Sequence, residues 1–218
     1  MFELLENHHD VIVSGLLRTI AIVGVGFVLG AFAGVLLALP LSSSHAMLRW
    51  PARAWVELIR NTPFLIQAML LFALFGVLRL RVEPALVGTL AVALYTSAYM
   101  AEIVRGALNS IPHGQYDAAL SLGLGPWRRF RLVILPQLFP FVLPAGVNLL
   151  ATVTKESAFL SAVSVAELTY SGQVVIAQTF RVFEVWAIIG VLYLLVVLLV
   201  LALAEQLERR MKWISAAH

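Results

Sequence analysis

Apolar residues occupy this chain in long blocks separated by short polar stretches, and the block lengths predict its elements. The run from Val11 to about Leu39 exceeds the ~20 residues that cross a bilayer core, and it stops at Pro40 with Ser42, Ser43 and Ser44 following. Four further blocks, at 64–78, 85–104, 132–154 and 185–204, predict four more spans. The second is short, so it must borrow flanking residues or sit tilted against protein. The expected fold class is an all-α integral membrane protein, one domain over 1–218 with five transmembrane helices.

Within the blocks, the polar exceptions carry the information. Gly26, Gly30 and Gly34 recur every fourth residue, which puts small residues on one helix face where a second helix can come close. Arg18 is expected to snorkel. Residues 41–60 mix Arg49, Arg53 and Arg60 with Trp50 and Trp55, as suits the headgroup layer, and Thr62 before Pro63 reads as a helix N-cap. On the third span, Tyr95, Tyr99 and Glu102 fall within about 60° of one another, where Glu102 either reaches the interface with Arg105 or lines a polar stripe. The fourth span carries Pro136, Pro140 and Pro144, each removing a backbone donor. Pro144, Asn148, Thr152 and Lys155 lie within about 80° and either line a polar path or bond between helices. Lys155, Glu156 and Ser157 follow at its far end, with an ion pair between the first two as the simpler alternative. Residues 157–183 are too polar to span, and a short helix dipping into or lying along the outer face is expected. The last block is almost purely aliphatic, which suits lipid contact.

One stretch resists burial in lipid. Ile111 to Pro136 holds Pro112, Gly114, Gly123, Gly125, Pro126 and the cluster Arg128, Arg129, Arg131, so it predicts a compact exposed element at a membrane surface. Composition agrees with a membrane protein: 61% of residues are hydrophobic and only 12% charged, where soluble domains carry about a quarter charged. The net charge of +3 is spread over short loops and is a topology signal, with no nucleic acid implied. Most Lys and Arg fall in 41–60, 105–131 and the tail, which places the N-terminus outside, and the 111–131 loop and C-terminus in the cytoplasm. Glu3, Glu6 and Asp10 with no basic residue do not match the n-region of a signal peptide, so the first span is expected to be retained.

Catalytic chemistry is missing from the sequence. It contains no GxxxxGK[ST], GxSxG or HExxH and no cysteine, so no nucleotide-binding loop, nucleophile elbow or thiolate site is expected. His8 and His9 are a weak metal signal, and no metal site is predicted. The chain reads as a conduit, not an enzyme, with its energy source elsewhere. A structural subunit of a membrane complex and an ion-coupled carrier are the alternatives.

Four ordered blocks then carry a resemblance. Gly114, Gln115, Tyr116, Asp117, Ala118, Ala119, followed by Gly123 and by Ile134, Leu135, Pro136, look like the EAA loop of ABC-importer permeases. ELIRNTPFLIQ (57–67), AYMAEIVRGALNSIP (98–112) and KESAFLSAVSVAEL (155–168) resemble its polar amino-acid branch, the histidine/glutamine permease type. Asp117 stands in for the family's usual Glu, and Ala158-Phe159 departs from a more usual Ser-Leu-like pair. The resemblance implies the type I ABC-importer permease fold in the inner or plasma membrane. It also implies a second permease copy or paralogue, two ATPase subunits that bind ATP and Mg, and an external solute-binding protein. Gly114, Asp117, Ala118, Ala119, Gly123, Leu135 and Pro136 are then the ATPase-coupling residues, with Ala118 and Ala119 permitting close approach and Asp117 capping or pairing. Tyr95, Tyr99, Asn148, Thr152, Lys155, Glu156 and Ser157 are the residues expected to meet an amino acid.

Overall fold

The computed structural model describes residues 2–215, with side chains from Glu6 to Gln206, and among them every regular element is helical. In order these are α1 (Phe2–Leu41), α2 (Ala46–Arg60), α3 (Phe64–Val77), α4 (Pro84–Ser110) and α5 (His113–Ser121). Then follow α6 (Pro126–Arg129), a π-helical turn (Phe130–Ile134), α7 (Leu135–Glu156), a 3-10 turn (Ser157–Val163), α8 (Leu168–Thr179) and α9 (Val182–Ser215).

Among the described residues, four stretches are long and apolar enough to cross a membrane: Glu6–Leu41, Pro84–Ser110, Pro126–Val163 and Val182–Gln206. The expected second span is different. α3 has 14 residues, roughly 21 Å at 1.5 Å per residue, which falls short of a ~30 Å hydrocarbon core. It meets α2 at 107°, and only as that bent pair does it supply a fifth span. Thr62 does not cap α3: its hydroxyl donates back to the Leu58 carbonyl (2.9 Å), and Pro63 occupies the cap position. The bend is tied instead by Gln67, whose amide donates to the carbonyls of Ile59 (2.7 Å) and Thr62 (2.9 Å). At the end of α2 the Ile59 carbonyl otherwise accepts a long bond from the Thr62 hydroxyl (3.4 Å).

The glycine stripe of α1 lies against α4. A Cβ at Gly30 would stand 2.5 Å from the Ala93 carbonyl oxygen, and one at Gly34 2.6 Å from that of Ser97. The helices therefore touch backbone to backbone. Around this seam the main core gathers Ile22, Val23, Val92, Tyr95, Leu149, Val153 and Leu160 from α1, α4, α7 and the 3-10 turn.

The proline-rich span is one continuous helical path that departs from α-helical winding at two places, Phe130–Ile134 and Ser157–Val163. Just before Pro136 the turn widens, and the Leu135 amide donates to the Phe130 carbonyl five residues back. A widened turn next to a proline relieves the clash its ring would make with a regular helix. The 157–183 segment is not a single dipping helix. Its first part continues α7 as the 3-10 turn, Ser164 turns the chain with φ +61°, and α8 packs against α1 and α9 around Ile12, Leu168, Val175, Val185 and Ile189.

Candidate functional site

Residues Tyr95 and Tyr99, one turn apart on α4, stack with ring centroids 4.5 Å apart, and Phe64 at the start of α3 meets Tyr95 edge-on at 5.4 Å. The 107° bend puts Phe64 there. Arg60, the last residue of α2, holds its guanidinium 5.4 Å from the centre of the Tyr99 ring, a cation over an aromatic face. Glu156 arrives from the end of α7. Together they line a cleft of about 520 Å³, closed by Asn61, Thr62, Pro63, Leu65 and Phe159. That size lies within the ~300–1,000 Å³ of small-molecule sites, and the wall offers one cation, one anion and flat aromatic surface.

Three of the seven predicted path residues thus meet in the cleft. Asn148, Thr152 and Lys155 do not line it: the Thr152 hydroxyl donates to the Asn148 carbonyl (2.9 Å), and Lys155 is exposed on another side of α7. Ser157 turns inward. It is fully buried and donates to the Thr154 carbonyl at 2.7 Å. Among the described residues no ion pair joins Lys155 to Glu156. Glu102 pairs with Arg105 at 2.6 Å and, more loosely, with Arg60 at 3.6 Å.

The second arrangement is α5. At 100° per residue, Gly114, Asp117, Ala118 and Ser121 share its outer face, while Tyr116 and Ala119 point the other way. Ala119 is buried and Ala118 exposed, so of the two alanines only Ala118 is open to a partner. Asp117 lies past the cap position, which Pro112 occupies, and its carboxylate bonds to no described residue. Gly123 ends the helix at φ +68°: its amide donates to the Leu120 carbonyl (2.9 Å) and that of Leu124 to Ala119 (3.1 Å), the two bonds of a Schellman motif. Tyr116 packs into a cluster of Ala107 and Ile111 from the end of α4 with Ile134 and Leu138 from the start of the next span. Gln137 adds a bond to Gln115 at 3.3 Å. Leu135 is half-buried and Pro136 exposed, while Leu120, Leu122 and Trp127 leave large apolar surface uncovered.

Over residues 12–213 the chain matches the family model described as binding-protein-dependent transport system inner membrane component. The chain belongs to this family. Among its relatives is the glutamine transport system permease protein GlnP of Escherichia coli (strain K12), 36% identical over 85% of this chain and 87% of that protein. Another is the arginine transport system permease protein ArtQ of Bacillus subtilis (strain 168), 31% identical over 92% of each. A chain in the crystal structure of an amino acid ABC transporter with histidines superposes with a TM-score of 0.89 at 31% identity, covering 96% of this chain and 98% of that one. The MetNI methionine ABC transporter, at 24% identity and TM-score 0.80, shares the fold. Family and fold thus agree with the all-α, multi-pass architecture of an inner-membrane transport component.

Two residues of chemical interest were not anticipated. Arg60 looked like a topology arginine, and only the α2–α3 bend brings it over Tyr99. Glu167 is completely buried between α1, α8 and α9. Its carboxylate caps α8, accepting from the amides of Tyr170 (2.8 Å) and Thr169 (3.0 Å), and it accepts the Tyr193 hydroxyl at 2.6 Å. Burial pushes this carboxyl above its ordinary value, while the bonds from Tyr193, Thr169 and Tyr170 pull the other way. Glu is not among the residues favoured at a helix N-cap, so neither its capping of α8 nor its burial is legible in the local sequence.

Proposed function

We propose that this chain is the membrane-spanning subunit of an ATP-driven importer for amino acids or similar small zwitterions. One observation carries the reading. The exposed helix α5 is seated on the same two helices, α4 and α7, whose opposite stretches bear the cleft residues. Ile111 and Tyr99 lie 12 residues apart on α4, roughly 18 Å, and Leu138 and Glu156 lie 18 apart on α7, roughly 27 Å. A push on α5 therefore tilts both walls of the cleft at once, because packed helices move as rigid rods.

In this reading the complex contains two permease copies, two ATPase subunits and an external solute-binding protein, as its relatives' transport systems suggest. ATP and Mg are bound by the ATPases, which supply the work. The outer face of α5, with Gly114, Asp117, Ala118, Leu122 and the nearby Trp127, seats in a groove on the ATPase, and closure of the nucleotide sites drives it. Glu156 takes the solute's ammonium and Arg60 its carboxylate, while Tyr95, Tyr99 and Phe64 pack its body. Asn148, Thr152 and Lys155 face away from the cleft on the outward side of α7, where a second copy brings its own path alongside. The 111–131 loop and the C-terminus face the cytoplasm, and the N-terminus lies outside.

The test is ATP-dependent uptake by vesicles holding the whole complex, screened across a panel of amino acids. Uptake of at least one amino acid that stops without ATP is expected. Uptake that survives ATP depletion would replace this reading with an ion-coupled carrier.

A further inference from the structure

The cleft does not end at Tyr99. It shares Arg60 and Tyr99 with a second cavity of about 330 Å³, which in turn shares Glu102 and Arg105 with a third of about 130 Å³ bounded by Arg49 and Arg53. Helix geometry explains this continuity. Tyr95, Tyr99, Glu102 and Arg105 follow one another at intervals of three and four residues, so they form one stripe down α4. On α2, Arg49, Arg53 and Arg60 lie within about 40° of one another and face that stripe. The exposed apolar side chains Met47 and Leu58 lie on the opposite side, roughly 140–160° round the helix from the arginines.

The charges along this track are unequal. Four arginines line it, and the one carboxylate lining its two lower cavities is Glu102. Arg53 has a loose contact with Glu57 at 3.9 Å, and among the described residues Arg49 reaches the Ser43 carbonyl at 3.5 Å. Glu102 alone sits between two guanidiniums, close to Arg105 and further from Arg60. Successive charged positions on α4 are about 4.5 Å apart along the helix axis, a hand-over distance for a carboxylate.

We infer that this arginine-lined track is the release route for the carboxylate end of the solute, with Glu102 as a tethered competitor for Arg60 and Arg105. The inference rests on the proposed importer function. The Arg60 and Arg105 side chains are partly buried, where guanidinium–carboxylate pairs are strong, so without a competitor they would hold a carboxylate and stall its exit, while the exposed Arg49 and Arg53 attract it more weakly. Glu102 is positioned to take the arginines back as the solute moves on. The track runs toward the end of α4 that leads into α5, so the element that senses the ATPase adjoins the place where release occurs.

The experiment uses the complete complex in vesicles, with whichever amino acid the wild type transports, and follows uptake rate and the solute retained in a single turnover. Glu102→Gln keeps the shape and removes the charge. It is expected to slow uptake at least threefold and to raise retained solute. Arg105→Gln alone is expected to lower retention, and Glu102→Gln with Arg105→Gln to recover at least half of the lost rate. Wild-type rate and retention in Glu102→Gln overturn the inference. So does a loss of rate that the double variant does not recover, because that marks Glu102 as a packing residue. Should Glu102→Gln fail to assemble, the Arg105→Gln retention decides alone: unchanged or raised retention overturns it. A wild-type complex that transports no amino acid is a different result, and it removes the importer reading itself.

Discussion

At the scale of single residues, two positions couple local geometry to measurable stability. Gly123 sits at φ +68° with open space around the missing Cβ, so a side chain there meets backbone strain and no steric wall. Gly123→Val should cost about 1 kcal/mol locally by disfavouring the Schellman turn. The expected outcome is normal membrane insertion with uptake and ATPase stimulation both reduced. Unchanged uptake would separate the turn from coupling. Glu167 is the opposite case, a residue whose loss is felt in the fold. Glu167→Ala removes the α8 cap and the carboxylate that accepts the Tyr193 hydroxyl, leaving that hydroxyl only Thr169 Oγ1 at 3.1 Å, together about 1–3 kcal/mol. A clear drop in thermal unfolding temperature in detergent is expected, with Glu167→Gln closer to wild type because an acceptor oxygen remains. Equal melting of Glu167→Ala and wild type would show that the buried carboxylate contributes no net stability.

At the scale of elements, the α1–α4 seam offers a controlled comparison. Even one carbon at Gly30 would stand 2.5 Å from the Ala93 carbonyl oxygen and 2.6 Å from the Thr96 Cβ, whereas Gly24 on the same helix has nothing within 4 Å. Gly30→Ala should force the helices apart and destabilise by about 1–3 kcal/mol. Gly24→Ala should be neutral or slightly stabilising through helix propensity. Comparable melting temperatures for the two would remove close backbone approach as the reason for the stripe. The stripe was legible in the sequence because its spacing of four matches a helix face. The span blocks were legible too, since a run such as 185–204 has no other use for so many aliphatic residues. The bend at Asn61 to Pro63 was not. A short apolar block after an arginine reads equally as a tilted span, and only the Gln67 amide, reaching back eight residues to Ile59, fixes the angle. For the same reason Arg60 passed as a topology charge. The α7 face failed differently: a polar stripe on one helix names neighbours in rotation, but does not say whether that side meets the chain's own cleft or its outside.

At the scale of the whole molecule, the remaining question is which way the bundle faces, since coupling to a cytoplasmic ATPase requires α5 inside. The chain has no cysteine, so a single introduced thiol is an unambiguous reporter. Ser121 lies on the exposed face of α5, and Phe180, at the turn between α8 and α9, is also exposed. The arginine distribution places these two positions on opposite sides of the membrane. Ser121→Cys should therefore react with a membrane-impermeant maleimide only in inverted vesicles, and Phe180→Cys only in intact cells with the outer barrier opened. Adding the ATPase should slow labelling at 121 at least fivefold and leave 180 unchanged if, as proposed, α5 lies under the docked subunit. Labelling of position 121 from outside would invert the topology and with it the direction of transport. Labelling from inside without protection would keep the topology and move the ATPase contact off α5, most directly to the exposed apolar surface at Trp127.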